Sequence, residues 1–83
     1  MSYYLYIIYS TKLDKYYVGH TEDIGQRMEQ HNGGFSSFTS RATDWELKYK
    51  ETYESREEAH ARERFIKSKK SRKYIEWLIS SAV

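Results

Sequence analysis

Arg27 and His31 fall one helical turn apart on a stripe that also carries Ile24 and Met28, the i, i+3, i+4, i+7 spacing of a helix face turned to the core. A solvated helix would turn its arginine outward, because a charge among apolar neighbours is costly unless it meets a partner or lines a cleft. Glu63 repeats the pattern in a second helical stretch, between Ala59 and Ile66. Tyr6 and Tyr17 stand in two segments dense in aromatic and β-branched residues, YYLYIIY over 3–9 and YYVGH over 16–20. An inward arginine, histidine and glutamate beside paired phenols can meet in one polar site that lines a cleft. The same residues can also be bland: a buried Arg27–Glu63 ion pair that orders the core, a satisfied histidine, and tyrosines in strand packing. Spacing alone leaves both open.

The elements that must position these groups follow from local pattern. Residues 3–9 and 16–20 read as strands joined by the polar turn STKLDK over 10–15, hence a hairpin. Alternation puts Tyr4, Tyr6 and Ile8 on one face and pairs Tyr17 with Gly19, opposite Tyr16, Val18 and His20. His20 is therefore expected at the surface or the rim, facing away from Tyr17, and Gly19 marks a close backbone approach. Thr21 to Asp23 supplies cap chemistry for a helix to about Asn32, and Gly33-Gly34 ends it. Residues 35–45 form a loop rich in Ser and Thr, and 46–53 alternate as a third strand. Ser55-Arg56-Glu57-Glu58 matches a capping box that opens a helix to about Ser68. Its inward stripe holds Ala59, Glu63 and Ile66, with Ala61 and Phe65 alongside. A last helix over about 70–80 turns Tyr74, Ile75, Leu78 and Ile79 to the core. The class is α/β (α+β), in the order β-β-α-β-α-α.

The chain has 83 residues, which predicts a single domain over 1–83. It contains no cysteine, so neither a disulfide nor a thiolate zinc site is available, which fits a reducing cytoplasm. The opening MSYYLYIIYS lacks a signal peptide's basic start and cleavage site, and no apolar run is long enough for a membrane span. The expectation is a cytoplasmic protein with no membrane partner. A net charge of +2 is a weak sign of nucleic-acid binding. Residues 62–73 are more suggestive, gathering Arg62, Arg64, Lys67, Lys69, Lys70, Arg72 and Lys73 against Glu63. This run is either a solvated helix surface or a phosphate-facing patch. Trp45 and Trp77 read as packing residues, and His60 as exposed.

Tyr4-Leu5-Tyr6, then ten residues, then Tyr17-Val18-Gly19 resembles the paired motif of the GIY-YIG nuclease family. Tyr4 and Leu5 depart from its Gly and Ile, and Val18 replaces Ile conservatively. The likeness continues through Gly19-His20-Thr21, Arg27, His31-Asn32-Gly33-Gly34 and Glu63, over nearly the whole chain. It is strongest to the small stand-alone bacterial members, which are related to the nuclease domain of the bacterial repair excinuclease. The resemblance implies a three-stranded antiparallel sheet flanked by helices. It implies a divalent-metal-dependent endonuclease, a phosphodiesterase acting on DNA, structure-specific and at work in repair or recombination, with RNA left open as a substrate. By the same resemblance Glu63 would hold one divalent cation, Mg2+ or Mn2+, through hard oxygen contacts. Tyr17 would be the general base and Arg27 would support Tyr17 and the phosphate charge. Tyr6 would hydrogen-bond the nucleophile or phosphate, and His31 would orient Tyr17 or shuttle its proton. Thr39, Arg41, Lys67, Lys69, Lys70, Arg72 and Lys73 are the candidate nucleic-acid contacts. The protein would be a monomer or a weak homodimer. The competing reading is a catalytically weak or inactive module of this fold that binds nucleic acid or a partner protein.

Overall fold

The hairpin forms as the alternation requires. In a computed structural model, which describes residues 2–34 and 39–81, β1 (Tyr3–Ser10) and β2 (Lys15–Thr21) pair antiparallel. Tyr6 lies opposite Gly19, and Ile8 opposite Tyr17. β3 (Glu46–Tyr53) pairs antiparallel with the other side of β1, so the sheet runs β2-β1-β3 and β2 is an edge strand. The β1–β3 register shifts between Ile7, opposite Tyr49, and Ile8, opposite Leu47, leaving Lys48 as an extra residue in a bulge. The helices are α1 (Ile24–Asn32), α2 (Arg56–Ser68) and α3 (Arg72–Ser81), with a short 3-10 turn at Thr39–Arg41. The observed order is the expected β-β-α-β-α-α.

β1 is covered on both faces, which explains why 3–9 reads as a continuous apolar run rather than a clean alternation. On one face Leu5, Ile7 and Val18 pack against Ile66 of α2 and Leu78 of α3. On the other, Tyr6 and Ile8 pack against Ala42 and Trp45, with Tyr17, Ile24 and Met28 closing the sides. Each fully buried Leu or Ile in these clusters contributes about 1.5–3 kcal/mol. The result is a layer of α2 and α3, the sheet, and a layer of α1 with the 39–45 segment.

Local signals fix the ends. The Asp23 carboxylate caps α1 by accepting from the Gln26 amide at 3.0 Å, and Ser55 caps α2 by accepting from Glu58 at 3.2 Å. Gly34 leaves α1 at φ 80, a backbone shape that glycine adopts without strain. Asn32 then clamps Trp45, donating to its carbonyl at 3.1 Å and accepting from its amide at 2.8 Å. The Trp45 indole donates to the Thr39 carbonyl at 2.9 Å. These bonds seat the 39–45 segment over α1; the expected loop's residues 35–38 lie outside the described residues.

Two expectations are corrected. Ala61 and Phe65 are exposed, because the inward stripe of α2 is only wide enough for Ala59, Glu63 and Ile66. Trp77 is 60% exposed on α3, stacked near Tyr74 rather than in the core. Several cations of the basic run have partners within the chain. Arg62 grips Glu51 of β3 at 2.9 and 3.2 Å. Arg72 donates to the Asp14 carboxylate at 2.6 Å and to its carbonyl at 2.9 Å, tying α3 to the β1–β2 turn. Lys69 lies over the rings of Phe65 and Tyr74. Among the described residues no helix is long and apolar enough to cross a membrane.

Candidate active site at the edge of β2

Tyr6 and His31 meet where β1 faces α1. The Tyr6 hydroxyl and His31 Nε2 are 2.7 Å apart, and Nδ1 of the same ring is 2.7 Å from Thr39 Oγ1. His31 and Thr39 are fully buried and Tyr6 nearly so. Arg27 Nε donates to the Tyr6 oxygen at 3.3 Å, while its Nη1 donates to Gln30 at 2.8 Å. Because Arg27 can only donate, the Tyr6 proton is directed to His31 Nε2, and His31 carries its own proton on Nδ1 toward Thr39. Burial pushes the Tyr6 phenol up to about 12, with Arg27 offsetting only part of that shift. Burial, helped by the Arg27 charge, pushes His31 down to about 4. The chain Thr39–His31–Tyr6 is therefore neutral at pH 7 and ends on a guanidinium.

Gly19 makes this packing possible. A Cβ at that position would stand 2.6 Å from the Tyr6 hydroxyl, 2.8 Å from its Cζ and 3.2 Å from Cε1 of Tyr17. The Tyr6 ring lies across its cross-strand partner, and only hydrogen fits beneath it. Tyr17, half-buried on the same face, meets His31 edge-on with ring centroids 5.1 Å apart and Tyr6 at 6.5 Å. Burial works against the Arg27 charge, but the phenols of Tyr6 and Tyr17 outweigh it and hold its pKa above the ordinary arginine value.

Glu63 reaches the site from the opposite layer. It sits on α2 against the Val18–His20 face, its side chain 14% exposed. His20 Nδ1 lies 2.6 Å from its Oε1, and Lys67 Nζ 2.7 Å from its Oε2. The Lys67 ammonium also lies over the Tyr17 ring, 5.5 Å from the centroid. Lys67 thus spans the open edge of β2 and joins the Glu63 side to the Tyr17 side. Burial raises the Glu63 pKa, but the hydrogen bonds from Lys67 and His20 outweigh it and keep the carboxyl below the usual range. Its negative charge is felt at Tyr6.

The structure brings Tyr6, Tyr17, Arg27 and His31 into one cluster and puts Glu63 next to it through Lys67. Arg27 and Glu63 do not pair with each other, so the buried ion-pair reading of these two residues fails. His31 bonds Tyr6 rather than Tyr17. Thr39, expected to touch substrate, is sealed beneath the site as the partner of His31. Arg41 is exposed at the end of the 3-10 turn. His20 lies on the face away from Tyr17, as alternation predicts, but that face belongs to α2, and its contact with Glu63 was missed. The signal was available: an inward Glu63 needs a partner on whichever strand face α2 covers. His60 is exposed, as expected, and stacks on His20 at 4.9 Å.

A family model described as the GIY-YIG catalytic domain matches residues 2–75. The fold is similar to the solution NMR structure of the UPF0213 protein BH0048 from Bacillus halodurans. The two are 30% identical and superpose with a TM-score of 0.59, covering 96% of this chain and 84% of that one. No curated protein matches the chain.

Proposed function

The chain belongs to the GIY-YIG family, and on that premise we propose that it is a metal-dependent endonuclease that hydrolyses phosphodiester bonds of DNA, with branched or nicked DNA in repair or recombination as its substrate. The observation that carries this reading is the Lys67 bridge. It puts an ionised carboxylate and a half-buried phenol on either side of one ammonium, at an open strand edge, with a guanidinium behind them.

Glu63 fits a hard divalent cation. It is ionised and partly exposed, and its two bonds are to side chains at the same rim. Among the described residues no three His, Cys, Asp or Glu side chains gather as a ready cage. A cation here would take one protein carboxylate and complete its shell with water and phosphate oxygens, as Mg2+ and Mn2+ do. When bound, it would supply charge neutralisation at the leaving oxygen.

The chain's own residues then have distinct tasks. Tyr17, in its phenolate form, takes the proton of the water that attacks phosphorus, while the ester P–O bond breaks and the leaving oxygen departs with that bond's electron pair and is protonated from solvent. Arg27 and Lys67 offer fixed donors to the phosphate oxygens, where charge grows in the transition state. Tyr6 does not act as a base, since its phenol is pushed up to about 12 and its proton is committed to His31. Its task, with His31 and Thr39 behind it, is to hold Arg27 in place.

Cleavage of a panel of labelled linear, nicked and branched DNA in Mg2+ or Mn2+, by the parent and by Glu63→Gln, tests the proposal. The competing reading, a module that binds without cutting, draws on both Glu63 oxygens being engaged. It predicts salt-dependent DNA affinity that survives Glu63→Gln and no cleavage by the parent.

A further inference from the structure

A cleft of about 310 Å³ opens beside Tyr17 where the α2–α3 junction overhangs the outer edge of β2. Its floor is Ile66 and Ile75, its walls carry Tyr16 and Tyr17, and its rim carries Lys67 and Lys70. A second cleft of about 290 Å³ continues from it along the same edge toward Lys15, sharing Tyr16, Lys70 and Ile75. Two of these residues, Tyr17 and Lys67, already belong to the candidate site, so the cleft is its direct extension. Its size is at the small end of ligand sites, which run from about 300 to 1,000 Å³. That is room for one base with its sugar and too little for a duplex.

Lys70 is the second observation. It has a backbone φ of 49 in the link between α2 and α3, the left-handed region that glycine occupies without strain. The chain places a lysine there, and that lysine lines both clefts. That turn ends α2, with the Lys70 amide on the Lys67 carbonyl at 3.2 Å, and it sets the Lys70 side chain on the wall of both clefts. Aromatic and aliphatic walls beneath a cationic rim are the chemistry that holds an unpaired base by its ring and its neighbouring phosphates by their charge.

We infer that this cleft binds one unpaired nucleoside flanking the phosphate held at Tyr17 and Glu63, with Lys70 on the adjoining phosphate and the strand running along the edge of β2 toward Lys15. The strand's placement rests on the nuclease reading. The cleft's capacity to bind can be measured without cleavage.

The test uses the full chain carrying Glu63→Gln, in chelator, with deoxythymidine 3′,5′-bisphosphate as the probe and amide NMR shifts as the readout. Saturable shifts centred on Val18, Ser71 and Ile75 are expected. Ile75→Trp, which fills the cleft, should abolish them. Lys70→Gly relieves the backbone while removing the ammonium, so it should fold at least as well as the parent and still weaken binding. For a single-stranded oligonucleotide, Lys70→Gly should also reduce the slope of log K against log salt by about 0.7, the value of one phosphate contact. Shifts elsewhere, no saturable shift at these amides, or affinity and salt slope unchanged in Lys70→Gly would overturn the inference. A parent that never cuts DNA would sink the nuclease reading and leave this binding result standing.

Discussion

The Tyr6 hydroxyl lies 2.7 Å from Nε2 of His31, and both groups are out of reach of solvent. This bond fixes the roles of its neighbours. It commits the Tyr6 proton inward, leaves the Tyr6 oxygen free to accept from Arg27, and sets the His31 tautomer that Thr39 completes. The Tyr6 oxygen of the first motif triplet thus takes the Arg27 Nε proton at 3.3 Å.

Removing either end of that network should cost stability in proportion to the polar atom stranded. Tyr6→Phe leaves His31 Nε2 unpaired, and Thr39→Val does the same to Nδ1; each should destabilise by about 1–3 kcal/mol. Thr39→Ser keeps the oxygen and should stay close to the parent. Urea denaturation midpoints of the three variants check this, and a Thr39→Val protein as stable as Thr39→Ser would contradict the bond's importance.

Acid should loosen the fold in a window set by His31. Its folded pKa is depressed to about 4, whereas an unfolded histidine titrates near 6.5. Between those values the unfolded chain binds more protons than the folded one, so stability falls as pH drops from about 6.5 to about 4 and this loss is complete below that. The loss is on the order of 3 kcal/mol for a group this buried. His31→Gln should flatten the dependence across that window, although it lowers stability overall. Urea titrations at pH 7, 5.5 and 4, in roughly these steps, check it; equal slopes in parent and variant would refute the assignment.

Gly19→Ala should act through Tyr6. The added methyl meets the Tyr6 hydroxyl at 2.6 Å and its Cζ at 2.8 Å, an overpacking that costs about 1–3 kcal/mol. Tyr6→Phe cannot relieve it, because Cζ is also too close, but Tyr6→Leu can. A double-mutant cycle between Gly19→Ala and Tyr6→Leu should therefore show a favourable coupling above about 0.5 kcal/mol. Simple additivity would mean that the glycine serves some other purpose.

How much of this was legible beforehand depends on what sequence periodicity can carry. The strands, helices and caps lie where alternation, Asp23 and Ser55 put them, because those signals are local. The inward direction of Arg27, His31 and Glu63 was legible for the same reason. The pairing of those groups was not. Periodicity says that a side chain faces inward, not which layer it enters, so nothing local revealed that Glu63 lies across the sheet from Arg27, with His20 as its partner. Thr39 sits in a segment whose polar composition suggests exposure, and it is buried because Asn32 and Trp45 draw that segment onto α1. Arg62 and Arg72 counted toward a basic patch until Glu51 and Asp14, distant in sequence, took them up.

The central claim is that Tyr17 and Glu63, on opposite faces of the sheet, act as one unit around the edge of β2. Single-turnover cleavage of DNA in saturating Mg2+ or Mn2+ by the parent, Tyr17→Phe, Glu63→Gln and the double variant tests it most directly. Each single change should slow cleavage by about 10²–10⁴. The double variant should be little slower than the worse single, since groups that act as a unit are lost only once. A parent that does not cut, a single variant that cuts at the parent's rate, or losses that multiply in the double variant would contradict the account.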